Sequence, residues 1–242
     1  MKKNIAGILS ALGIVSCGSQ PKEAMSYAHG DLKIKIEAGR QWKHPFNLFL
    51  GIKKQNTPQI AIWTEDMEGN YLTTIYVTNR TATQSWIMSG GNRRKSALPY
   101  WAHRRGVQYE DGLYMPTRKN PLPDAVTGAT PSGNFDVKLS PASAVRKFVV
   151  KAEFNHSTDF NDFYPADARE GEANYTGGKG GSGQPAIVYQ ALIDLDSGQT
   201  EYTARLIGHS SPDGSNGNLY TDLSTLTTAL HIVKEITIRV HE

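Results

Sequence analysis

The stretch from residue 123 to residue 130 brings together residue types that can carry a covalently attached group. It reads Pro-Asp-Ala-Val-Thr-Gly-Ala-Thr, so the carboxylate of Asp124 is followed by the hydroxyls of Thr127 and Thr130. Gly128 allows a positive φ, and the sequence therefore predicts a tight turn that projects the Thr130 hydroxyl outward. A hydroxyl held outward between small residues can be esterified by another enzyme. The alternative interpretation is a turn whose hydroxyls are only solvated.

The spacing Asp-x-x-Thr-Gly-Ala-Thr resembles the flavinylation motif of periplasmic FMN-binding domains, found in subunits of bacterial sodium-pumping and electron-bifurcating redox complexes. In those proteins a flavin transferase joins the phosphate of FMN to the last Thr or Ser of the motif. The resemblance implies that Thr130 is the acceptor and Asp124 the acidic recognition residue. It also implies that the turn between them is formed by Thr127, Gly128 and Ala129.

A wider resemblance runs through four blocks of the chain, which are Ile60–Asp66, Gly69–Thr74, Leu98–Trp101 and Asp124–Pro131. Together they look like domain of unknown function 2271, a family of predicted periplasmic proteins. The resemblance implies export and a β-rich fold. It assigns no activity, and it implies a functional association with flavin-dependent or metal-uptake systems. The Trp-Asp-Gly turn that often follows the Ala-Thr-Pro block in that family is absent from this chain.

A polar segment further along the chain carries residue types that bind metals. His156, Asp159 and Asp162 lie close together in the sequence, and they could ligate calcium or a transition metal. The spacing lacks the glycine-centred pattern of an EF-hand, and polar loop residues commonly cap turns instead. The three residues are therefore weak candidates, and the metal stays unknown.

No catalytic residues are predicted. His209, Ser210, Ser211 and Asp213 have the residue types of a serine hydrolase, but no Gly-x-Ser-x-Gly elbow accompanies them. We therefore expect no hydrolytic catalysis, and whether the protein acts as an electron-transfer enzyme stays open.

Two basic runs, Arg93–Lys95 and His103–Arg105, lie near Tyr100, Trp101 and Tyr109 in the sequence. Cations among aromatic rings could bind an anionic lipid headgroup, an acidic glycan, or the phosphate and ring of a flavin. The alternative is a solvated basic loop that the aromatic residues anchor to the core. The formal net charge is only +3, and without a basic stripe we do not expect nucleic-acid binding.

The first seventeen residues predict an address in the cell envelope. A positive start, Met1-Lys2-Lys3, precedes the apolar run Ile5–Val15, which is shorter than the roughly 20 residues that span a bilayer and has the length of a signal-peptide core. The sequence Ile14–Cys17 resembles the lipobox of bacterial lipoproteins, which implies removal of residues 1–16 and lipidation of Cys17. The alternative is an ordinary secretory signal with an incidental cysteine. Because Cys17 is the only cysteine, an internal disulfide framework, a cysteine-based zinc site and a cysteine-ligated iron–sulfur cluster are excluded.

The remaining sequence predicts an all-β fold, an antiparallel β-sandwich with long irregular loops and room for immunoglobulin-like character. Alternating apolar and polar residues predict strands at 31–37, 59–64, 71–77, 134–139, 147–154, 186–195, 201–206 and 230–241. Polar loops with a glycine predict hairpin turns at 65–70 and 196–199, and the last run could close a sheet edge. Irregular sequences predict long loops at 89–123, 155–184 and 209–218. We expect a tether over residues 17–29 and one domain over residues 30–242.

Together these features predict a lipid-anchored accessory protein of an envelope redox or uptake system that carries FMN on Thr130. Its expected partners are a membrane, reached through the N-terminal lipid, a flavin transferase and an envelope redox or uptake protein. The expected location is periplasmic or associated with the outer membrane. The alternative function is a non-enzymatic binding module that presents its long loops to a glycan or protein partner.

Overall fold

A computed structural model describes residues 25–47, 53–86, 93–117, 119–120, 122 and 126–242. In chain order its elements are β1 (Leu32–Ala38), β2 (His44–Asn47), β3 (Lys53–Asn56), β4 (Gln59–Glu65), β5 (Tyr71–Thr78), α1 (Asn79–Thr83), α2 (Pro99–Arg104), β6 (Val126–Gly128), β7 (Phe135–Leu139), β8 (Lys147–Asn155), β9 (Ile187–Asp194), β10 (Glu201–Thr203), β11 (Arg205–His209) and β12 (Val233–Val240). The predicted all-β, sandwich-like fold is confirmed, because two mainly antiparallel sheets share one apolar core.

The smaller sheet has four strands in the order β10, β12, β1 and β7. Period-two alternation builds it, since Leu32, Ile34 and Ile36 are fully buried while the residues between them face outward. The prediction that the C-terminal run 230–241 closes a sheet edge is wrong. Strand β12 lies inside the sheet, hydrogen-bonded to β10 on one side and to β1 on the other, so the apolar side chains of its inward face are buried.

The larger sheet has six strands in the order β11, β9, β8, β4, β5 and β6. The predicted hairpin between β4 and β5 is confirmed, and Gly69 takes a φ of +85° in its loop. The hairpin predicted at residues 196–199 is wrong, because β9 belongs to the larger sheet and β10 to the smaller one. The chain crosses between the sheets there and returns after Ala204, so the strand predicted at 201–206 is two strands in different sheets.

A third layer covers the outer face of the larger sheet. It includes α2, whose buried Tyr100 and Trp101 pack over Trp63 of β4 in a second apolar cluster. The sequence predicted only irregular loop over residues 89–123, and α2 begins there with Pro99 at its first position, where a proline costs no hydrogen bond. The strand β4 is therefore buried on both faces.

The two ends of the sandwich differ in polarity. We call one end of the sandwich the polar end, because the buried polar side chains of Gln59, Thr78 and Asn155 meet there, beside Gly128. At this end β4 begins, while β5, β6 and β8 finish. Many of the fully buried polar side chains lie at or just beyond this end. At the opposite end the chain enters β1, and Tyr27, from the segment predicted as a tether, stacks on His241 with ring centroids 4.2 Å apart.

None of the helices among the described residues has the length and apolar character needed to cross a bilayer.

Candidate functional site

The predicted turn around Gly128 is wrong, because the backbone there is a strand. Residues Val126–Gly128 form β6, which pairs in parallel with β5 at the edge of the larger sheet. Gly128 does not adopt a left-handed φ; a Cβ atom on it would lie 3.2 Å from the ring of Tyr76. The glycine is needed for the close approach of this ring, which is a packing reason. Asp124 and Ala125 lie outside the described residues.

Thr130 follows this edge strand, and its side chain is half-buried. The backbone on either side of it is held, because the Tyr76 hydroxyl donates to the Ala129 carbonyl at 3.3 Å and the Trp42 indole donates to the Pro131 carbonyl at 3.0 Å. The Thr130 hydroxyl itself forms no hydrogen bond with the part of the chain that the structure describes. A hydroxyl that is free on a fixed backbone fits the chemistry of an attachment point for a phosphoester.

The metal candidates His156 and Asp159 come together at the polar end, and a third residue joins them. His44 of β2 places its Nδ1 atom 3.6 Å from Asp159 Oδ1, and its ring centroid lies 5.4 Å from that of His156. Nothing in the sequence pointed to His44, because more than a hundred residues separate it from the other two. Asp162 is exposed and lies outside this group.

This group is buried and incompletely hydrogen-bonded. Among the described residues, His156 Nε2 lies 2.8 Å from the Gln41 carbonyl, whereas its Nδ1 atom and the Asp159 Oδ2 atom are buried and have no hydrogen-bond partner. Burial lowers the pKa of His156 to about 4, so the ring is neutral at pH 7. Burial raises the pKa of Asp159, against the opposing hydrogen bond that Thr228 donates at 2.5 Å.

The described residues contain no group of three or more His, Cys, Asp or Glu side chains placed to hold a metal ion. The buried pair His156 and Asp159 forms a polar junction with its neighbours. It fastens the β2 segment, through His44 and Gln41, to the loop that follows β8.

The predicted mixing of cations and aromatic rings is present in the third layer. Four guanidinium groups lie over aromatic rings at 4.7–5.4 Å from the ring centroids, pairing Arg93 with Tyr109, Arg94 with Trp86, Arg104 with Tyr100, and Arg105 with Trp101. These contacts hold the basic runs against the core, as the anchored-loop interpretation requires. Arg94 differs in its position, because it lies at the polar end, where its Nη1 atom donates to Ser157 Oγ at 2.7 Å.

Beneath α2 the outer face of the larger sheet carries buried charges. Lys151 Nζ lies 2.8 Å from Glu65 Oε2 and donates to the Tyr100 hydroxyl at 2.8 Å. The second carboxylate oxygen of Glu65 accepts from the Trp63 indole at 2.9 Å. These groups satisfy one another, and sequence patterning missed them because charged residues on a strand predict an exposed face.

The residues with hydrolase-like types do not assemble a triad. Ser211 Oγ donates to Asp213 Oδ1 at 2.8 Å, but His209 directs Nδ1 to the Ser210 carbonyl at 2.8 Å. The imidazole ring stacks on Tyr220 instead.

A cleft of about 410 Å³ lies at the end opposite the polar end, lined by residues that include His29, Asp31, Arg146 and His241. None of the sequence-predicted site residues lines it. Asp31 is occupied there by Lys138 at 2.6 Å and by the Ser140 hydroxyl at 2.6 Å.

No protein-family model matches the chain, and comparisons with curated proteins and with solved structures give no significant match either.

Proposed function

We propose that the protein is a lipid-anchored accessory protein of an envelope redox or uptake system and that it carries FMN as a phosphoester on Thr130. The observation that carries the proposal is the Thr130 side chain, a half-buried hydroxyl without a hydrogen-bond partner among the described residues, set beside an edge strand. The anchor belongs to the proposal through Cys17, which lies outside the described residues.

The position of Thr130 supports access by a transferase. A strand at the edge of a sheet has one side open to another protein, and Ala129 and Ser132 on either side of the acceptor segment are exposed. The bonds from Tyr76 and Trp42 to the neighbouring carbonyls would hold the attached group at a fixed point on the surface. Bound FMN would supply electron transfer, and the protein around it would tune its potential.

The test is intact-mass spectrometry of the full chain expressed with and without a flavin transferase. We expect an added mass of one FMN minus one water only when the transferase is present. Thr130→Ala should abolish the addition, because no other residue would supply the ester oxygen. The matched control is Ser132→Ala, which removes an exposed hydroxyl two residues away and should leave the addition unchanged.

An unmodified wild-type chain in the presence of an active transferase would remove the proposal. Retention of the added mass in the Thr130→Ala variant would place the modification elsewhere and would also overturn it.

The second candidate is a binding module without a cofactor, and one feature of the loops favours it. The segments after β8 and before β12 are fixed to each other by Gln184, whose Oε1 atom accepts from the Thr227 N–H at 2.6 Å and whose backbone N–H donates to the Asp159 carbonyl at 2.9 Å. The long loops at the polar end are therefore a built surface that a glycan or protein partner could recognise.

A further inference from the structure

Arg94 is a half-buried cation that has no carboxylate partner among the described residues. Its guanidinium lies 4.7 Å from the centroid of the Trp86 ring, and its Nη1 atom donates to Ser157 Oγ. A neutral hydroxyl and an aromatic face leave the positive charge without a compensating anion in the part of the chain that the structure describes. By contrast, the buried Lys151 is neutralised by Glu65 at 2.8 Å.

A second cation is carried by the helix to which Arg94 is hydrogen-bonded, because Gln84 at the end of α1 accepts from the Arg94 backbone N–H at 3.1 Å. Arg80 is exposed on α1 and forms no ion pair with the described residues. Burial and the charge of Arg80 both lower the pKa of Arg94, as expected for like charges without an intervening anion. The sequence from residue 87 to residue 92 contains no Asp or Glu that could supply one.

Backbone strain is concentrated beside these cations. Among the described residues two non-glycine residues have a left-handed φ, Gln84 at +52° and Thr158 at +62°. Gln84 ends α1, and Thr158 directly follows the serine that accepts from Arg94. Strained residues of this kind persist only where the surroundings fix them, and they cluster at ligand sites.

The side chain of Gln84 forms three hydrogen bonds that its left-handed backbone allows. It is buried, donates to the Thr81 carbonyl at 2.8 Å, and accepts from the Trp86 indole at 2.9 Å and from the Arg94 backbone N–H at 3.1 Å. One residue therefore fixes the helix that carries Arg80, the ring under Arg94 and the backbone of Arg94 itself. The backbone of Arg94 and the helix that carries Arg80 are therefore fixed before any ligand arrives.

We propose that Arg94, Arg80 and the Ser157 hydroxyl form a binding site for a phosphate group. Guanidinium groups bind phosphate oxygens through paired N–H donors, and a serine hydroxyl can donate to a third oxygen. The phosphate has two conceivable sources. One is a free phosphate or phosphorylated ligand. The other, which rests on the proposed function, is the phosphate of FMN attached to Thr130, because α1 packs against β6, the strand that leads to Thr130.

The test is isothermal titration of inorganic phosphate into the full chain without FMN. We expect saturable binding that Arg94→Gln weakens roughly ten- to a hundredfold, the range for one charge-assisted contact, and that Arg80→Gln weakens by a smaller factor. Arg205→Gln is the matched control, since Arg205 is also exposed and forms no ion pair with the described residues. It should leave the affinity unchanged.

Arg94→Lys tests the site if the glutamine variant fails to fold, because lysine retains the positive charge and loses the paired N–H donors of arginine. Its affinity should fall between those of wild type and Arg94→Gln. The absence of saturable phosphate binding in the folded wild type would overturn the site, and so would an equal loss of affinity in Arg205→Gln.

A second titration assigns the source. If the FMN-loaded chain no longer binds inorganic phosphate while the unloaded Thr130→Ala chain still does, the cofactor phosphate occupies the site. If both bind phosphate equally, the ligand is a free phosphate group. A failure of flavinylation itself would leave the first titration unaffected, so the two proposals fail separately.

Discussion

The outer faces of the two sheets both carry ion pairs, but these pairs differ in their exposure to water. The outer face of the smaller sheet is open to water and carries cross-strand ion pairs such as Lys33 with Asp136 at 3.0 Å, in which both side chains are about one-third exposed (35% and 31%). The outer face of the larger sheet is covered by the third layer, and its pair of Lys151 with Glu65 is 7% and 1% exposed. The same chemistry therefore occurs in water on one face and in a dry layer on the other.

The difference shows that burial, and not the presence of an ion pair, decides how much each charge matters. Exposed pairs gain little, because water screens them and the side chains lose freedom. A buried pair gains little over an apolar pair, but breaking it leaves a charge without water or a partner. The buried charges under α2 should therefore be the sensitive ones.

The largest effect is expected for Lys151→Met. The substitution keeps the bulk of the side chain and leaves Glu65 buried. Among the described residues, Glu65 then has the Trp63 indole at 2.9 Å and only the more distant Arg104 Nε, at 3.5 Å, as a cation. We expect a loss of about 3–5 kcal/mol in the free energy of unfolding, measured by urea denaturation at pH 7.

The control for this prediction is the double variant Lys151→Met with Glu65→Gln. It removes the stranded charge while the amide oxygen can still accept from Trp63, so it should recover much of the lost stability. A single variant within about 1 kcal/mol of wild type would contradict the claim that this face is effectively dry.

A second expected effect concerns Glu153, which is fully buried on the same face and accepts from the backbone N–H groups of Tyr100 and Trp101 at 3.2 and 2.7 Å. Burial raises its pKa from 4.5 to about 8. The folded protein keeps this proton to about pH 8, whereas the unfolded chain loses it above about pH 4.5. Its contribution to stability is therefore full below pH 4.5 and is lost as the pH rises through 8.

Glu153→Gln removes this titration. Wild type should lose stability relative to the variant as the pH rises between 5 and 8, by at most about 1.4 kcal/mol per pH unit. The measurement is the difference in unfolding free energy between the two proteins at several pH values, in which the other titrating groups cancel. Parallel curves across this range would show that the carboxyl is already ionised at pH 5.

The sequence located the strands β1 and β4 equally well, but it predicted which faces are buried only where one face meets water. In β1, alternation between Ile34, Ile36 and the charged residues beside them identified strand and face together. In β4 the four residues from Ile60 to Trp63 are all apolar, and a third layer buries Trp63 and Glu65 as well. The covering helix α2 has only six residues, too few for a helical period to be recognised.

Pairing between distant segments is the other part that sequence could not supply. The residues at 196–199 have the composition of a hairpin turn, yet turn chemistry does not state which sheet the next strand joins. At the polar end, His156 and Asp159 were identifiable from their types, while His44 reaches Asp159, and Arg94 reaches Ser157, only through folding. The Thr130 motif was visible in sequence, but the pairing of Gly128 with β5 and its packing against the Tyr76 ring depend on the fold.

The smallest effect is expected on the open face, for Asp136→Asn. The change removes the partner of Lys33 while keeping the shape of the side chain, and the freed ammonium group remains in water. We expect a loss of at most about 1 kcal/mol in the free energy of unfolding, falling toward zero as the salt concentration rises from 0.05 to about 1 M, because the pair is screened.

A double-mutant cycle with Lys33→Met isolates the pair. A coupling energy as large as that of Lys151 with Glu65, or one insensitive to salt, would mean that the smaller sheet's outer face is covered in solution, and the contrast between the two faces would no longer hold.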